Sequence, residues 1–300
     1  MAKIGVFDSG YGGLTILREI RKQLPEYDYL YLGDNARAPY GTHSFDVIYQ
    51  YTLQAVRYLL EQDCALVILA CNTASAKALR TIQQRDLPMI NGANGDAALN
   101  GANGGKMKRN VLGVIRPTVE AVPAITKTGH VGILATPATV SSESYVLELE
   151  KINHQSPITN HQSLVVSQQA CPLWVPLIEA GEHNSDGADY FVEKYLREIL
   201  AKDPQIDTLV LGCTHYPLLE KKISSQLSAL SSQPVSIIAQ GALVADSLKD
   251  YLSCHSEYRE QLSQNGACVY LTTENADRFA QSASLFIGEK ISAKTIRLGD

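Results

Sequence analysis

Cysteine is sparse in this sequence and never closely paired. There are six in 300 residues, at positions 64, 71, 171, 213, 254 and 268, with no C-x-x-C anywhere. That excludes a disulfide scaffold and leaves a zinc site or a thioredoxin-like redox motif without support. Long apolar runs are also missing. The longest, Cys64 to Cys71, is eight residues, against the roughly 20 needed to cross a bilayer, so no membrane association is expected. Excess positive charge is missing too: 26 Lys and Arg against 31 Asp and Glu give a net charge of −5. No basic field is available to hold nucleic acid by counterion release, and no nucleic-acid partner is expected. Met1-Ala2-Lys3 leads straight into a strand-like segment with no signal peptide ahead of it, so a cytoplasmic location is expected.

What is present is ordinary globular composition, 45% hydrophobic and 19% charged residues, which excludes general disorder. The length suits one large domain or two mid-sized ones. Strand-like and helix-like segments alternate. Ile4 to Phe7 reads as a buried strand, and Asp8-Ser9-Gly10-Tyr11-Gly12-Gly13 turns the chain. A helix follows, with Leu17, Ile20 and Leu24 on one stripe and Pro25 as its stop. Tyr29 to Leu32 is a second strand, and Ser44 caps a helix running to about Gln62. Leu66 to Ala70 is the kind of apolar run expected of a central parallel strand. Strand, crossover helix and strand in series predict an α/β parallel sheet.

The same grammar restarts near residue 111. Val111 to Ile115, Val131 to Ala135, Leu164 to Ser167 and Thr208 to Gly212 read as strands, with helices over Ser141 to Ile152 and Asp186 to Ala201. The ends of the two halves look alike: Val67-Ile68-Leu69-Ala70-Cys71-Asn72-Thr73 against Leu209-Val210-Leu211-Gly212-Cys213-Thr214-His215. Each is an apolar strand ending in a small residue and then cysteine, followed by two polar residues. This weak internal repeat predicts two similar parallel-sheet α/β domains with the active site in the cleft between them. Val235 to Ala239 and Val269 to Thr272 read as strands returning to the first sheet. The first domain would then be discontinuous, residues 1–112 plus 236–300, and the second would be 113–235. Between the halves, Asn91 to Gly105 holds four Asn and five Gly in fifteen positions and reads as a surface loop or flexible connection.

Cys71 and Cys213 sit where apolar strands end and helices should begin, the edge at which open α/β sheets bind ligands. Helix N-terminal N–H groups beside each sulfur are expected to favour thiolate over thiol. A free cysteine with a pKa of about 8.5 is only a few per cent thiolate at neutral pH, so a lowered value would give a usable base. Two opposed thiols have a specific use. Removing a proton from one face of a carbon and returning one to the other inverts that centre, with one thiolate as base and the other thiol as acid. Ser9, Asn72, Thr73 and Thr214 lie beside the same edge as neutral donors for a charged substrate. Asp8, after the first strand, is placed to orient or accept from a proton carrier.

Three segments carry a resemblance: Phe7-Asp8-Ser9-Gly10-Tyr11-Gly12-Gly13-Leu14, Ala70-Cys71-Asn72-Thr73-Ala74 and Gly212-Cys213-Thr214-His215-Tyr216-Pro217-Leu218. They are similar to the three signatures of the cofactor-independent glutamate racemases, in the aspartate/glutamate racemase family. Pro39-Tyr40-Gly41 and the run from Cys171-Pro172 to Glu179 resemble that family's intermediate motifs. The resemblance covers nearly the whole chain, in order. It implies interconversion of L- and D-glutamate without pyridoxal phosphate or metal, with D-glutamate feeding peptidoglycan. By matching motifs it implies Cys71 and Cys213 as the acid/base pair, Asp8 supporting Cys71, and His215 with Glu179 behind it supporting Cys213. Glutamate would be held by Asp8, Ser9, Tyr40, Gly41, Asn72, Thr73, Thr214 and His215, with Thr136 a further polar contact. Substrate is the expected partner, and a homodimer is compatible with the family.

Two features depart from the family pattern. Arg116 stands where the family usually has glutamate, and the 91–105 stretch looks like an insertion beside the domain junction. The amino-terminal extension of members activated by a cell-wall precursor is missing, so that regulation is not expected. Among the other cysteines and histidines, Cys64, Cys171, Cys254 and Cys268 read as structural. His43, His130, His154, His161, His183 and His255 show no metal spacing and read as surface or turn residues. Three alternatives stay open. An aspartate or other racemase of the same superfamily is the nearest, although His215 favours glutamate. A Cys-His hydrolase using Cys213 and His215 would leave Cys71 unexplained, and an amino-acid-binding protein would need no thiols.

Overall fold

The computed structural model describes residues 1–91, 107–155 and 164–299. All of the 91–105 stretch except Asn91 lies outside the described residues, as does His161. Along the chain come β1 (Lys3–Asp8), α1 (Gly13–Gln23), β2 (Tyr29–Gly33), α2 (Phe45–Glu61), β3 (Cys64–Leu69), α3 (Asn72–Lys77) and β4 (Asn110–Gly113). Next are α4 (Ile115–Ile125), β5 (His130–Ala135), α5 (Ser144–Gln155), β6 (Val165–Ala170), α6 (Trp174–Glu179), α7 (Asp186–Lys202), β7 (Thr208–Gly212), α8 (Glu220–Leu230) and β8 (Ser236–Ile238). Then follow α9 (Gln240–Cys254), β9 (Cys268–Thr272), α10 (Ala276–Ile287) and β10 (Ala293–Thr295). Among the described residues no helix is long and apolar enough to cross a membrane.

The strands form two sheets, β10-β9-β2-β1-β3-β4 and β6-β5-β7-β8, and every pairing is parallel. The period-two alternation of β1 explains its two-sided burial. Ile4 and Val6 share a core with Leu14, Leu17 and Ile20 of α1, while Phe7 joins Ile48, Ala55 and Leu59 of α2. In the second sheet Val131 and Ile133 of β5 pack with Val119 and Val122 of α4, and Leu209 and Leu211 of β7 pack with Val192, Leu196 and Ile199 of α7. The Ser44 hydroxyl accepts the Val47 N–H and caps α2, as its sequence position predicts. Arg116 is an exposed residue of α4, ion-paired with Glu120 one turn on at 2.7 Å.

One strand lies elsewhere than the sequence reading has it. The segment at 235–239 does not return to the first sheet. Its strand β8 pairs with β7, Thr208 opposite Ser236 and Leu209 opposite Ile237. The cause is local: β7, α8 and β8 make one short strand–helix–strand crossover, which seats consecutive parallel strands side by side. The chain returns one element later, through α9, which packs on α1, and β9 then pairs with β2.

Candidate active site

Each sheet carries its chemistry at the carboxyl ends of two adjacent inner strands. In the first sheet β1 ends at Asp8 and β3 leads to Cys71; in the second β5 leads to Thr136 and β7 to Cys213. In both sheets the connections diverge to opposite sides between those two strands, the switch point where open α/β sheets form a crevice. One cavity of about 80 Å³ results, lined from the first half by Ser9, Tyr40, Gly41, Cys71, Asn72 and Thr73. Thr136, Glu179, Cys213, Thr214 and His215 line it from the second half. Among the described residues no lysine or arginine borders it. Asp8 is not on its wall. It stands behind, 1% exposed, accepting from the Gly10 N–H at 2.9 Å and from the Thr214 hydroxyl at 3.4 Å across the halves.

The two sulfurs have different neighbours. Ser9 Oγ lies 3.4 Å from Cys71 Sγ. Burial first, and then the Asp8 carboxylate, push the Cys71 thiol up to about 12, against the opposing pull of the Ser9 hydroxyl and the Ala74 N–H. The helix-start argument predicts the opposite direction. It fails because six residues of α3 offer a few partial charges, whereas burial and Asp8 act together on a residue only 6% exposed. Asp8 itself is held above the ordinary carboxylate range, by burial first, with the His215 charge acting against it.

Cys213 faces an imidazole instead. Its Sγ lies 3.9 Å from His215 Nδ1, and His215 Nε2 is 2.9 Å from Glu179 Oε1. Burial disfavours the charged ring, but the hydrogen bonds to Cys213 and Glu179 outweigh it and push His215 up to about 10. Phe286 of α10 covers the ring edge-on, with centroids 5.3 Å apart. A buried imidazolium therefore stands beside the second sulfur and a buried carboxyl beside the first.

Close approach of the halves depends on two glycines. A Cβ on Gly12 would lie 2.2 Å from Thr214 Oγ1 and 2.4 Å from His215 Nδ1, and one on Gly41 would lie 3.1 Å from Thr136. The lip holding Tyr40 and Gly41 is anchored from behind. Asp34, fully buried, accepts from the Tyr40 hydroxyl at 2.5 Å, Arg37 Nε at 2.7 Å and the Thr273 hydroxyl at 2.9 Å. Tyr40 thus presents its ring and backbone, not its hydroxyl, to the cavity. Thr73, Thr136 and Thr139 form a hydroxyl cluster with separations of 3.0 to 3.4 Å.

Sequence reasoning missed Cys171, Val175 and Pro176 as cavity walls and Asp34 as an anchor. Cys171 follows the end of β6 as Cys71 and Cys213 follow theirs, but Val165-Val166-Ser167-Gln168-Gln169-Ala170 is too polar a strand to flag it. Asp34, in Gly33-Asp34-Asn35, reads as an ordinary turn residue.

The family model described as Asp/Glu/Hydantoin racemase matches residues 4–247. A glutamate racemase of Ruegeria sp. (strain TM1040) is 38% identical over 299 residues, 96% of this chain and 98% of the relative. The crystal structure of a glutamate racemase isoform from Bacillus anthracis aligns with a TM-score of 0.81 at 30% identity, covering 99% of this chain and 98% of that one. The glutamate racemase of Francisella tularensis subsp. tularensis, solved in complex with D-glutamate, gives 0.79 at 28% identity, covering 99% and 98%.

Proposed function

This chain belongs to the Asp/Glu/Hydantoin racemase family, and we propose that within it the protein interconverts L- and D-glutamate by proton transfer between two cysteines. The observation that carries the reading is the pair of sulfurs, Cys71 and Cys213, on opposite walls of one cavity, each with its own titratable partner. A base is needed on one face of Cα and an acid on the other. Cys71, beside Asp8, is suited to rest as the thiol; Cys213, beside a cationic His215, has a neighbour that stabilises negative charge on sulfur. One sulfur takes the Cα proton while the other delivers its own, after which the roles are exchanged. The carboxylates of glutamate would meet neutral donors, the hydroxyls of Ser9, Thr73, Thr136 and Thr214 and the backbone N–H groups of Asn72 and Thr73. D-Glutamate made this way would feed peptidoglycan synthesis.

A Cys-His hydrolase would use Cys213, His215 and Glu179 and leave Cys71, Ser9 and Asp8 idle, so the racemase reading accounts for more of the site. Incubating the purified protein with L-glutamate and following optical rotation tests it, with decay to zero rotation expected. In heavy water, product formed early should carry deuterium at Cα while recovered substrate stays largely protonated. Exchange into unreacted substrate at the rate of product formation points to one shared base. Aspartate, one methylene short, should lose about 1–3 kcal/mol in kcat/KM, and equal kcat/KM for both substrates overturns the glutamate assignment.

A further inference from the structure

Asn72, the residue after Cys71, belongs to a closed hydrogen-bonded ring of three side chains. Its Nδ2 donates to Gln240 Oε1 at 2.6 Å, Gln240 Nε2 donates to the Tyr145 hydroxyl at 2.9 Å, and that hydroxyl donates to Asn72 Oδ1 at 2.7 Å. The three come from α3 in the first half, from α9 where the chain crosses back, and from α5 in the second half. None is more than 2% exposed.

A fourth side chain fixes the direction of the ring. Thr118 on α4 gives its one hydroxyl proton to the Val114 carbonyl at 2.7 Å, so only lone pairs face Gln240 Nε2, 2.9 Å away. Flipping the Gln240 amide would turn its oxygen toward those lone pairs and toward the Val114 carbonyl, 3.4 Å from Nε2. With Gln240 fixed, Tyr145 must donate to Asn72, and the Asn72 amide cannot flip either. Asn72 borders the cavity, yet both heteroatoms of its amide are engaged in this ring. A buried ring of this kind has one low-energy arrangement, because opening any bond strands polar groups out of reach of water.

We infer that Gln240 and Tyr145 are positioning residues, which lock the start of α3, and so Cys71, in register with the half that carries Cys213. Neither touches the reacting atoms. The inference rests on the reading of Cys71 as an acid/base group, and it assigns Asn72 a side-chain role in orientation rather than in substrate contact.

Tyr145→Phe opens the ring at nearly constant volume. Thr118→Val removes the orienting acceptor with little change of shape, and Thr118→Ser restores the hydroxyl. For Tyr145→Phe, kcat/KM should fall by about 10- to 100-fold, the range expected when a reacting group is displaced by an ångström or less. The loss must be equal in both directions, because the equilibrium constant between enantiomers is one. The deciding readout is the isotope effect with Cα-deuterated L- and D-glutamate. Raising only the barrier at Cys71 makes that proton transfer limiting both ways. The enantiomer whose deuteron Cys71 removes then shows an enlarged effect, and the other falls toward one.

A general loosening of the fold lowers the rate and leaves the two isotope effects matched, and that result overturns the inference, as does an unchanged rate. Thr118→Val should split the effects and Thr118→Ser should not, which decides the matter even where Tyr145→Phe does not fold. Cys71→Ser run alongside separates the two readings. Racemisation surviving in that variant removes the acid/base reading itself, whereas racemisation lost there with unsplit effects in the ring variants removes only the ring's role.

Discussion

Cys71 follows β3 and Cys213 follows β7 in the same way, each beyond a fully buried parallel strand and each beside the switch point of its sheet. The groups beside the sulfurs are nevertheless of opposite character. Cys71 has the Asp8 carboxyl and the Ser9 hydroxyl; Cys213 has an imidazole backed by Glu179. A repeated backbone frame fixes where the two sulfurs stand, and single side chains decide which charged group stands beside each. The frame supplies opposed faces, which inversion of a carbon requires. The side chains supply the difference in the charge beside each sulfur.

The largest effect should come from removing either sulfur. Cys71→Ser and Cys213→Ser should each lower kcat/KM by about 10³-fold, within the range general acid–base groups supply, as measured by circular dichroism with either enantiomer. If one of them racemises at near the normal rate, the walls are not equivalent in need and the two-thiol scheme fails. Next is Gly12→Ala, which puts a methyl group on the Thr214 and His215 side chains and pushes the second wall away from the first. A loss of about 10²-fold in kcat/KM is expected from such a displacement. Gly187→Ala, whose nearest neighbour is Ser185 Oγ at 3.5 Å, is the control that should leave the rate unchanged.

Smaller effects sharpen the contrast of charge. Burial does most to hold the Cys71 thiol up, and Asp8→Asn removes the carboxylate that adds to it, so Cys71 should react faster with a neutral haloacetamide, roughly tenfold, through a larger thiolate fraction. His215→Asn should slow alkylation of Cys213 and leave Cys71 nearly untouched. Peptide mass spectrometry of samples quenched in time resolves the two sites. Parallel changes at both sulfurs in either variant would mean that the walls share one electrostatic environment.

The frame was far more legible in the sequence than this contrast of charge. Runs such as Leu66 to Ala70 and Thr208 to Gly212 announce buried parallel strands because both faces must be apolar. The cysteine after each run then marks the edge where ligands bind. The strand at 235–239 was legible as a strand but not by its sheet, since three residues of β8 carry no mark of their neighbour. The raised Cys71 thiol was illegible because it depends on how deeply the sulfur lies and how near Asp8 comes, neither of which spacing encodes. The ring of Asn72, Gln240 and Tyr145 joins residues up to 168 positions apart, and nothing local in any of the three sets it off from ordinary polar residues.

The last effect concerns stability, and it follows from the cation on the second wall. His215 is held at about 10 in the folded chain against 6.5 for a free imidazole. Between those pH values the folded chain binds more protons at this site than the unfolded chain does. Stability therefore falls as pH rises through the window, the contribution being complete below about 6.5 and lost above about 10. The Cys71 and Cys64 thiols, each pushed to about 12, titrate above the window and are common to the wild type and to a His215 variant. Subtracting the urea midpoint of His215→Asn from that of the wild type removes those shared terms. The difference should be largest near pH 6 and shrink steadily toward pH 10. A difference that stays constant, or grows with pH, would mean that the buried imidazole is neutral in the folded chain, and the contrast of charge between the walls would then rest on Asp8 alone.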